Sequence, residues 1–339
     1  MFSMGLAGAA PYRVIWPPRR SWTLQNPGRI TARVPRLFAK TIDANTRLCA
    51  VLGHPIRHSA SPTMHNAGLA ALGLDWRYVA FDVTPDRLAA AIAGAAVMKF
   101  IGINLTVPHK ILAMDLVDVL DESARQWGAV NTIRFEGQDA NGPWRPMREF
   151  VEAPPERVRS HGFNTDADGL ARALREELQF DASGKKVLVL GAGGAGRTAA
   201  LKLAADGVSE LHLVNRTRAK AELVGAEIHK RYPSVNVCSD YPKGAVDLVL
   251  NATSLGLREA DELPFDEREF APDRATAAYD MIYRPAETPF LKAAGAAGCR
   301  IANGLGMLLY QGAAALELWT GREAPIDVMR EALRRTIYG

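Results

Sequence analysis

The sequence contains few cysteines and no long apolar run. Its 339 residues include only Cys49, Cys238 and Cys299, which are odd in number, far apart and in apolar surroundings. This spacing predicts buried free thiols in a reducing compartment and excludes a disulfide framework or a cysteine metal site. Because no apolar stretch approaches the roughly 18 residues that a membrane helix needs, we expect a cytoplasmic protein without a membrane partner.

Acidic residues are absent from the start of the chain. Residues 1–42 contain seven basic residues and no aspartate or glutamate, so the formal charge of +4 becomes −3 for residues 43–339. A mildly acidic body gives no indication of nucleic acid binding. Residues 1–45 are interpreted as a basic, disordered leader, with an organelle transit segment and an over-long start as alternatives.

The sequence also lacks a histidine metal motif. His54 and His58 are four residues apart, but Pro55 lies between them and the segment does not have a helical pattern. Two histidines at this spacing face the same ligand only when they lie on a helix. We therefore expect no metal.

Apolar strands alternate with amphipathic helices over most of the chain. Predicted strands at residues 47–53, 76–83 and 100–107 are separated by helices. This order is typical of a parallel sheet with helices on its faces. A second series of strands and helices begins at residues 185–190. The predicted fold class is therefore α/β with two domains.

A glycine-rich turn follows the strand at residues 185–190. Gly191 and Gly193 begin a G-x-G-x-x-G motif that opens a helix, which is the context that a dinucleotide-binding turn requires. The first glycine permits the tight turn, and the second lets the backbone and the helix N-terminus approach a pyrophosphate. The residues predicted to contact the cofactor here are Gly191, Ala192, Gly193, Gly194 and Ala195.

Basic residues occupy the place where a cofactor with a free ribose would need a carboxylate. That carboxylate is expected near the end of the second strand of the unit. The sequence has Arg216, Arg218 and Lys220 there instead, with no acid among them. Cations at a helix N-terminus are unfavourable unless an anion joins them. The cluster therefore predicts NADP, whose 2′-phosphate it would bind, rather than NAD.

These observations divide the chain into four parts. Residues 46–165 are predicted to form an N-terminal α/β substrate-binding and catalytic domain with a parallel-type sheet. Residues 166–306 are predicted to form a C-terminal Rossmann domain that binds NADP, and residues 307–339 two helices that pack back on the first domain. Residues 137–161 contain four prolines and no periodicity, and they are interpreted as an insertion that is either functional or disordered.

Nine motifs occur in the order in which the shikimate dehydrogenase family has them, and the chain resembles that family from residue 47 to its end. They lie at residues 53–62, 104–110, 128–132, 164–166, 191–197, 215–217, 251–254, 279–283 and 304–311. The resemblance implies the reversible, NADP-linked reduction of 3-dehydroshikimate to shikimate in aromatic amino-acid biosynthesis. A small-molecule substrate, no nucleic acid and a monomer or homodimer are expected.

The resemblance assigns the chemistry to Lys110 and Asp166. Oxidation of an alcohol releases a hydride and a proton, and a partly buried lysine can take the proton. Asp166 would hold the ammonium group and bind the hydroxyl group. The family positions that bind substrate match Ser59, Ser61, Thr106, Asn131, Tyr283 and Gln311. The positions beside the cofactor match Glu122, Asn215, Arg216, Thr217, Lys220, Met281 and Gly304.

Several alternatives stay open on the sequence. Ser59 and Ser61 are expected to bind a carboxylate, but Ser61 before Pro62 also fits a helix cap. His109 is interpreted as exposed or as a minor neighbour of Lys110 rather than as the base itself, and Ala167 departs from the glycine that is usual in the family. The chain could also be a quinate/shikimate or aminoshikimate dehydrogenase, or a non-catalytic ligand-binding regulator with the same fold.

Overall fold

The computed structural model describes residues 41–339, so that most of the predicted leader lies outside the described residues. Within that range, no helix is long and apolar enough to cross a membrane. Two sheets organise the described chain, and the first is built from its N-terminal part.

The strands of the first sheet are ordered β2-β1-β3-β5-β7-β4, and β6 pairs with β5. Their bounds are β1 (Arg47–Gly53), β2 (Trp76–Asp82), β3 (Gly102–Leu105), β4 (Val119–Leu120), β5 (Thr132–Gln138), β6 (Arg145–Pro146) and β7 (Arg157–Phe163). The helices of this part are α1 (Ser61–Ala71), α2 (Leu88–Val97), α3 (His109–Leu112) and α4 (Glu122–Trp127). β1 is parallel to β2 and β3, as expected, whereas β5 is antiparallel to both β3 and β7.

The segment at residues 137–161 is more regular than the sequence suggested. Its last part belongs to β7, which pairs with β5 from Thr132 opposite Phe163 to Gln138 opposite Arg157. The disordered alternative is therefore wrong for residues 157–161, and a functional role of the segment stays a prediction. The sequence pattern does not reveal β7, because Arg157, Arg159 and His161 hide the usual alternation of apolar and polar residues. Arg159 and His161 face the buried carboxylate of Glu136.

The second sheet is parallel throughout, in the order β10-β9-β8-β11-β12-β13. Its strands are β8 (Lys186–Leu190), β9 (Glu210–Val214), β10 (Asn236–Cys238), β11 (Val246–Asn251), β12 (Ala275–Asp280) and β13 (Arg300–Asn303), and its helices include α6 (Gly194–Ala205), α7 (Arg218–Arg231) and α8 (Pro289–Ala296). Residues 187–190 are wholly buried, which explains the continuous apolar run of a strand covered on both faces. The order of strands reverses between β8 and β11, where ligands bind in such sheets.

Three further helices join the two parts: α5 (Asp166–Leu178), α9 (Leu305–Thr320) and α10 (Ile326–Tyr338). α9 packs closely on α5, because a Cβ added to Gly169 would lie 2.8 Å from the backbone nitrogen of Gln311. α10 packs on α1, and Trp319 Nε1 donates to the carbonyl of Ile133 in the first sheet at 3.0 Å. The boundary proposed between residues 165 and 166 stays a prediction.

Candidate active site

Lys110 and Asp166 are brought into direct contact. Lys110 lies in α3, the short helix that follows β3, and Asp166 is the first residue of α5. Their Nζ and Oδ2 atoms are 2.8 Å apart, and the side chains are 32% and 11% exposed. The amide of Asp166 donates to Asn164 Oδ1 at 3.1 Å. A carboxylate in the first turn of a helix is favoured by the helix dipole, so α5 presents Asp166 as the anionic partner of Lys110.

A cavity of about 200 Å³ opens beside this pair. It is lined by most of the residues predicted to contact substrate, namely Ser59, Ser61, Thr106, Tyr283 and Gln311, together with Met281 and Gly304. Many of these side chains are neutral hydrogen-bonding groups. Neutral hydroxyl and amide groups around one lysine and one aspartate suit a small polyhydroxylated acid better than an apolar ligand.

Asn131 lies behind the wall of this cavity. It is almost completely buried, accepts a hydrogen bond from the Thr165 amide at 2.8 Å, and donates to Gln311 Oε1 at 3.3 Å. It therefore holds Gln311 and the residue before Asp166 in place. The structure itself shows Asn131 as a support of the lining residues, so its direct contact with substrate stays a prediction.

Ser59 and Ser61 both reach the cavity, but Ser61 does not cap α1. Ala60 occupies the cap position without a side-chain hydrogen bond, and Ser61 is the first helical residue. The amide of Ser61 instead donates to Ser59 Oγ at 3.3 Å. The capping alternative is thus wrong, because the helix begins one residue earlier than a Ser61 cap would require.

Asn104 is a cavity residue to which sequence reasoning gave no role. It is buried, its Oδ1 accepts from the Tyr78 hydroxyl at 2.7 Å, and its Nδ2 donates to Thr132 Oγ1 at 2.9 Å. A polar residue inside the apolar strand β3 was the available signal. His58 and Met307 also line the cavity without having been assigned a role.

The glycine-rich turn has the geometry that the motif requires. Gly191 has a φ of +106°, and its amide donates to the carbonyl of Val214 at 2.7 Å. A Cβ on Gly193 would meet no atom of the described residues within 4 Å, which leaves the turn open to a ligand. A Cβ on Gly196 would lie 1.9 Å from the carbonyl oxygen of Gly191, so helix and turn can pack only with glycine there.

A second cavity, of about 220 Å³, connects this turn with the catalytic pair. Gly194 and Ala195 line it together with Gly128, Ala129, Arg197 and Thr198 and an apolar wall that includes Val107 and Ile111. Lys110, Asp166 and Met307 line both cavities. Lys110 and Asp166 therefore lie at the boundary of the two cavities. A ligand bound beside the glycine-rich turn would meet there a ligand bound in the first cavity.

The basic cluster after β9 is only partly available to a phosphate. Arg216 and Lys220 are exposed and form no ion pair with any residue in the range 41–339. Arg218, in contrast, is held by Asp240 at 2.6 Å and by Glu222 at 2.8 Å. Two neighbouring residues shape the turn itself, since Asn215 Oδ1 accepts from the Ala192 amide at 3.0 Å and Asn215 Nδ2 donates to the Thr217 carbonyl at 2.9 Å.

Comparison with known proteins agrees with this geometry. Family models match the chain as the shikimate dehydrogenase substrate binding domain (residues 51–133), shikimate / quinate 5-dehydrogenase (residues 172–256) and the shikimate 5'-dehydrogenase C-terminal domain (residues 304–334). The shikimate dehydrogenase (NADP(+)) of Methanopyrus kandleri is 40% identical over 300 residues, which cover 86% of this chain and 97% of that protein. The protein of the same name from Moorella thermoacetica is 44% identical over 304 residues, covering 87% and 95%. The chain belongs to the shikimate dehydrogenase family.

Solved structures of the family share the fold over most of the chain. Shikimate 5-dehydrogenase from Thermus thermophilus, in complex with NADP(H) and shikimate, has a TM-score of 0.71 at 35% identity and covers 85% of this chain and 99% of its own. Quinate dehydrogenase from Corynebacterium glutamicum, in complex with NAD, has a TM-score of 0.71 at 30% identity and covers 86% and 99%. The resemblance drawn from the nine motifs, and the two-domain α/β fold, are therefore confirmed.

Three further residues singled out in the sequence have the following positions, and a contact of Glu122 with the cofactor stays a prediction. Glu122 is exposed at the start of α4 and lines neither of the two cavities. His109 is fully buried rather than exposed, with Nε2 2.8 Å from the Val83 carbonyl, and burial lowers its pKa. Ala167 replaces the usual family glycine inside the first turn of α5, where helical backbone has no need of glycine.

The remaining candidate ligands form no metal centre. Within residues 41–339, no group of three or more His, Cys, Asp or Glu side chains is placed to hold a metal ion. His54 pairs with Asp82 at 2.6 Å. Cys49 and Cys299 are buried free thiols as expected, whereas Cys238 is only partly buried.

Proposed function

We propose that this member of the shikimate dehydrogenase family reversibly reduces 3-dehydroshikimate to shikimate with NADPH, in aromatic amino-acid biosynthesis. The observation that carries the proposal is the position of the Lys110–Asp166 pair, which is shared by the two cavities. When bound, NADP accepts or supplies the hydride. The side chains of this chain then have to bind the ring, orient it and move one proton.

In the oxidation direction, Lys110 Nζ takes the proton of the reacting hydroxyl group. Asp166 accepts a hydrogen bond from Nζ and holds the ammonium that forms, since its Oδ2 is already 2.8 Å from Nζ. In the reduction direction the lysine returns the proton to the alkoxide. A positioned acid or base of this kind contributes about 10²- to 10⁴-fold to the rate.

The other lining residues would bind and orient the ring. Ser59, Ser61 and Tyr283 offer hydroxyl donors for the substrate carboxylate, and Thr106 and Gln311 offer groups for the ring hydroxyls. Donors without charge bind a carboxylate more weakly than an arginine does, which favours product release. On the cofactor side, Arg216 and Lys220 would bind the 2′-phosphate and make NADP the preferred cofactor.

Steady-state kinetics with shikimate or quinate, each with NADP or NAD, test the proposal. We expect shikimate with NADP to give the highest kcat/KM, and Lys110→Ala to lower kcat by about 10²-fold or more. Lys292→Ala, an exposed lysine in α8, is the matched control and should leave kcat unchanged. A Lys110→Ala variant with the kcat of the wild type would remove this lysine from the mechanism.

The same experiment separates the alternatives. A higher kcat/KM with quinate and NAD would make the chain a quinate dehydrogenase, and activity on an amino-substituted ring would indicate an aminoshikimate dehydrogenase. Binding of shikimate without turnover would indicate a ligand-binding regulator. A cytoplasmic location and a monomeric or homodimeric state belong to the same proposal, and cell fractionation and sedimentation test them.

A further inference from the structure

Three charged side chains of α6 and α7 converge on the end of α4. Glu227 accepts hydrogen bonds from Arg197 Nε at 2.9 Å and Nη2 at 2.7 Å, and from Arg231 Nη1 at 3.0 Å. The two guanidinium groups also donate to backbone carbonyls, Arg197 to Trp127 at 2.8 Å and Arg231 to Gln126 at 2.7 Å. These five residues are called the Glu227 cluster. Its charged side chains are each 28–32% exposed.

The chain that leaves this cluster runs directly into the active site. Gly128 and Ala129 come next and line the second cavity together with Gly194 of the glycine-rich turn. The amide of Val130 then donates to the backbone carbonyl of Lys110 at 2.8 Å. The position of the Glu227 cluster therefore sets both the wall of the second cavity and the backbone that carries the lysine.

Glu227 is the member on which the other charges depend. It forms a bidentate pair with Arg197, the strongest arrangement of a guanidinium and a carboxylate, and it also bonds to Arg231. Without a carboxylate between them, two guanidinium groups close together repel each other. Their bonds to the carbonyls at the end of α4 would then lose their fixed direction, and α4 would no longer be held in one place against α6.

Little space is available for readjustment. Gly128 has a φ of +66°, and a Cβ there would lie 3.3 Å from a guanidinium nitrogen of Arg197. The guanidinium is therefore packed directly against the backbone of the cavity wall. A change in its position changes the width of the space between residues 128–129 and the glycine-rich turn.

We propose that Glu227 is a positioning residue for hydride transfer: through Arg197 and Arg231 it fixes the wall at residues 128–129 and the backbone of Lys110 relative to the glycine-rich turn. This inference rests on the proposed function for the reaction itself, but its effect on cofactor binding can be measured without turnover. Glu227 touches neither cavity directly, so it is not a catalytic residue.

The test compares Glu227→Ala and Glu227→Gln with Glu331→Gln, which removes a carboxylate from an exposed i,i+4 pair with Arg335 in α10. The dissociation constant of NADP is measured by titration calorimetry, and kcat and both KM values are measured by steady-state kinetics. The melting temperature is measured for each protein. We expect Glu227→Ala to weaken NADP binding and to lower kcat by about tenfold each, since small misplacements of reacting groups have effects of this size. Glu227→Gln keeps an acceptor oxygen and should fall between Glu227→Ala and the wild type.

A positioning role is identified by a change in NADP affinity and kcat without a change in the KM for shikimate. The KM for shikimate should stay within about twofold, because Ser59, Ser61 and Gln311, which would bind the ring, lie outside the Glu227 cluster. Unchanged NADP affinity and kcat in Glu227→Ala would overturn the inference, and so would an equal rise in both KM values with a lower melting temperature. A wild type that binds NADP but does not oxidise shikimate would refute the proposed function alone, while weaker NADP binding by Glu227→Ala would still support the cluster's role.

Discussion

Replacement of Glu136 by glutamine should remove much of the pH-dependent stability of the first sheet. The Glu136 side chain is 5% exposed and accepts hydrogen bonds from Arg134, from Arg159 Nε at 2.8 Å and from His161 Nδ1 at 3.1 Å. Burial alone would raise its pKa, but the bonds from His161, Arg134 and Arg159 outweigh burial and lower the pKa from 4.5 to about 2.

The shift in pKa gives the size and the direction of the effect. One pKa unit corresponds to about 1.4 kcal/mol, so that ionised Glu136 contributes about 3 kcal/mol to the free energy of unfolding near neutral pH. Because the folded-state pKa lies below the unfolded one, the contribution is complete above about pH 5 and is lost as the pH falls toward 2. By pH 3 about 2 kcal/mol of it should be gone.

Urea unfolding of the wild type and of Glu136→Gln at several pH values between 7 and 3 measures the contribution of Glu136 to the free energy of unfolding. We expect the variant to be less stable at pH 7 by about 3 kcal/mol or more, because it also leaves two arginines without their partner. The difference between the two proteins should shrink by about 2 kcal/mol at pH 3. The exposed Glu331→Gln serves as control and should show no such change. A difference that is the same at pH 7 and pH 3 would refute the reasoning.

Two further predictions concern the cofactor half. In Gly304→Ala the new Cβ would lie 2.1 Å from the carbonyl oxygen of Met281, so kcat should fall by about tenfold or more. Gly244→Ala, whose Cβ would meet no described atom within 4 Å, is the control, and equal kcat values in the two variants would contradict the prediction. Arg216→Ser should raise the KM for NADP by about tenfold and leave that for NAD unchanged, because only NADP has the 2′-phosphate. Arg218→Ser should have a smaller effect on NADP because that arginine is already paired, and kinetics showing equal effects would exclude a special role for Arg216.

The second sheet was readable from the sequence because its signals are local. Residues 187–190 form an apolar strand buried on both faces, and the glycines that form the turn follow this strand within a few residues. A parallel sheet with a dinucleotide turn needs little information from distant parts of the chain. The assignment of this part therefore followed from periodicity and from glycine positions alone.

The first sheet was harder because its polar residues are matched by distant partners. In the sequence, Arg159 and His161 in β7 are typical of a loop. In the structure both side chains contact the carboxylate of Glu136, which is more than twenty residues away. Asn104 likewise depends on the hydroxyl of Tyr78, 26 residues earlier. Hydrophobic periodicity does not identify such pairs, because a buried polar side chain is tolerated only through the partner that satisfies it.

The unexpected direction of β5 explains why the catalytic pair meets. β3 and β7 are both antiparallel to β5, and they are therefore parallel to each other and end at the same edge of the sheet. Lys110 follows the end of β3 and Asp166 the end of β7, at strands about 10 Å apart, a distance that a lysine and an aspartate side chain can span together. Asn131 precedes the first residue of β5 at this same edge, between the other two strands. A sheet with β5 parallel to its neighbours would instead have put Asn131 at the opposite edge, far from Thr165 and Gln311, so the antiparallel strand is what completes the support of the site.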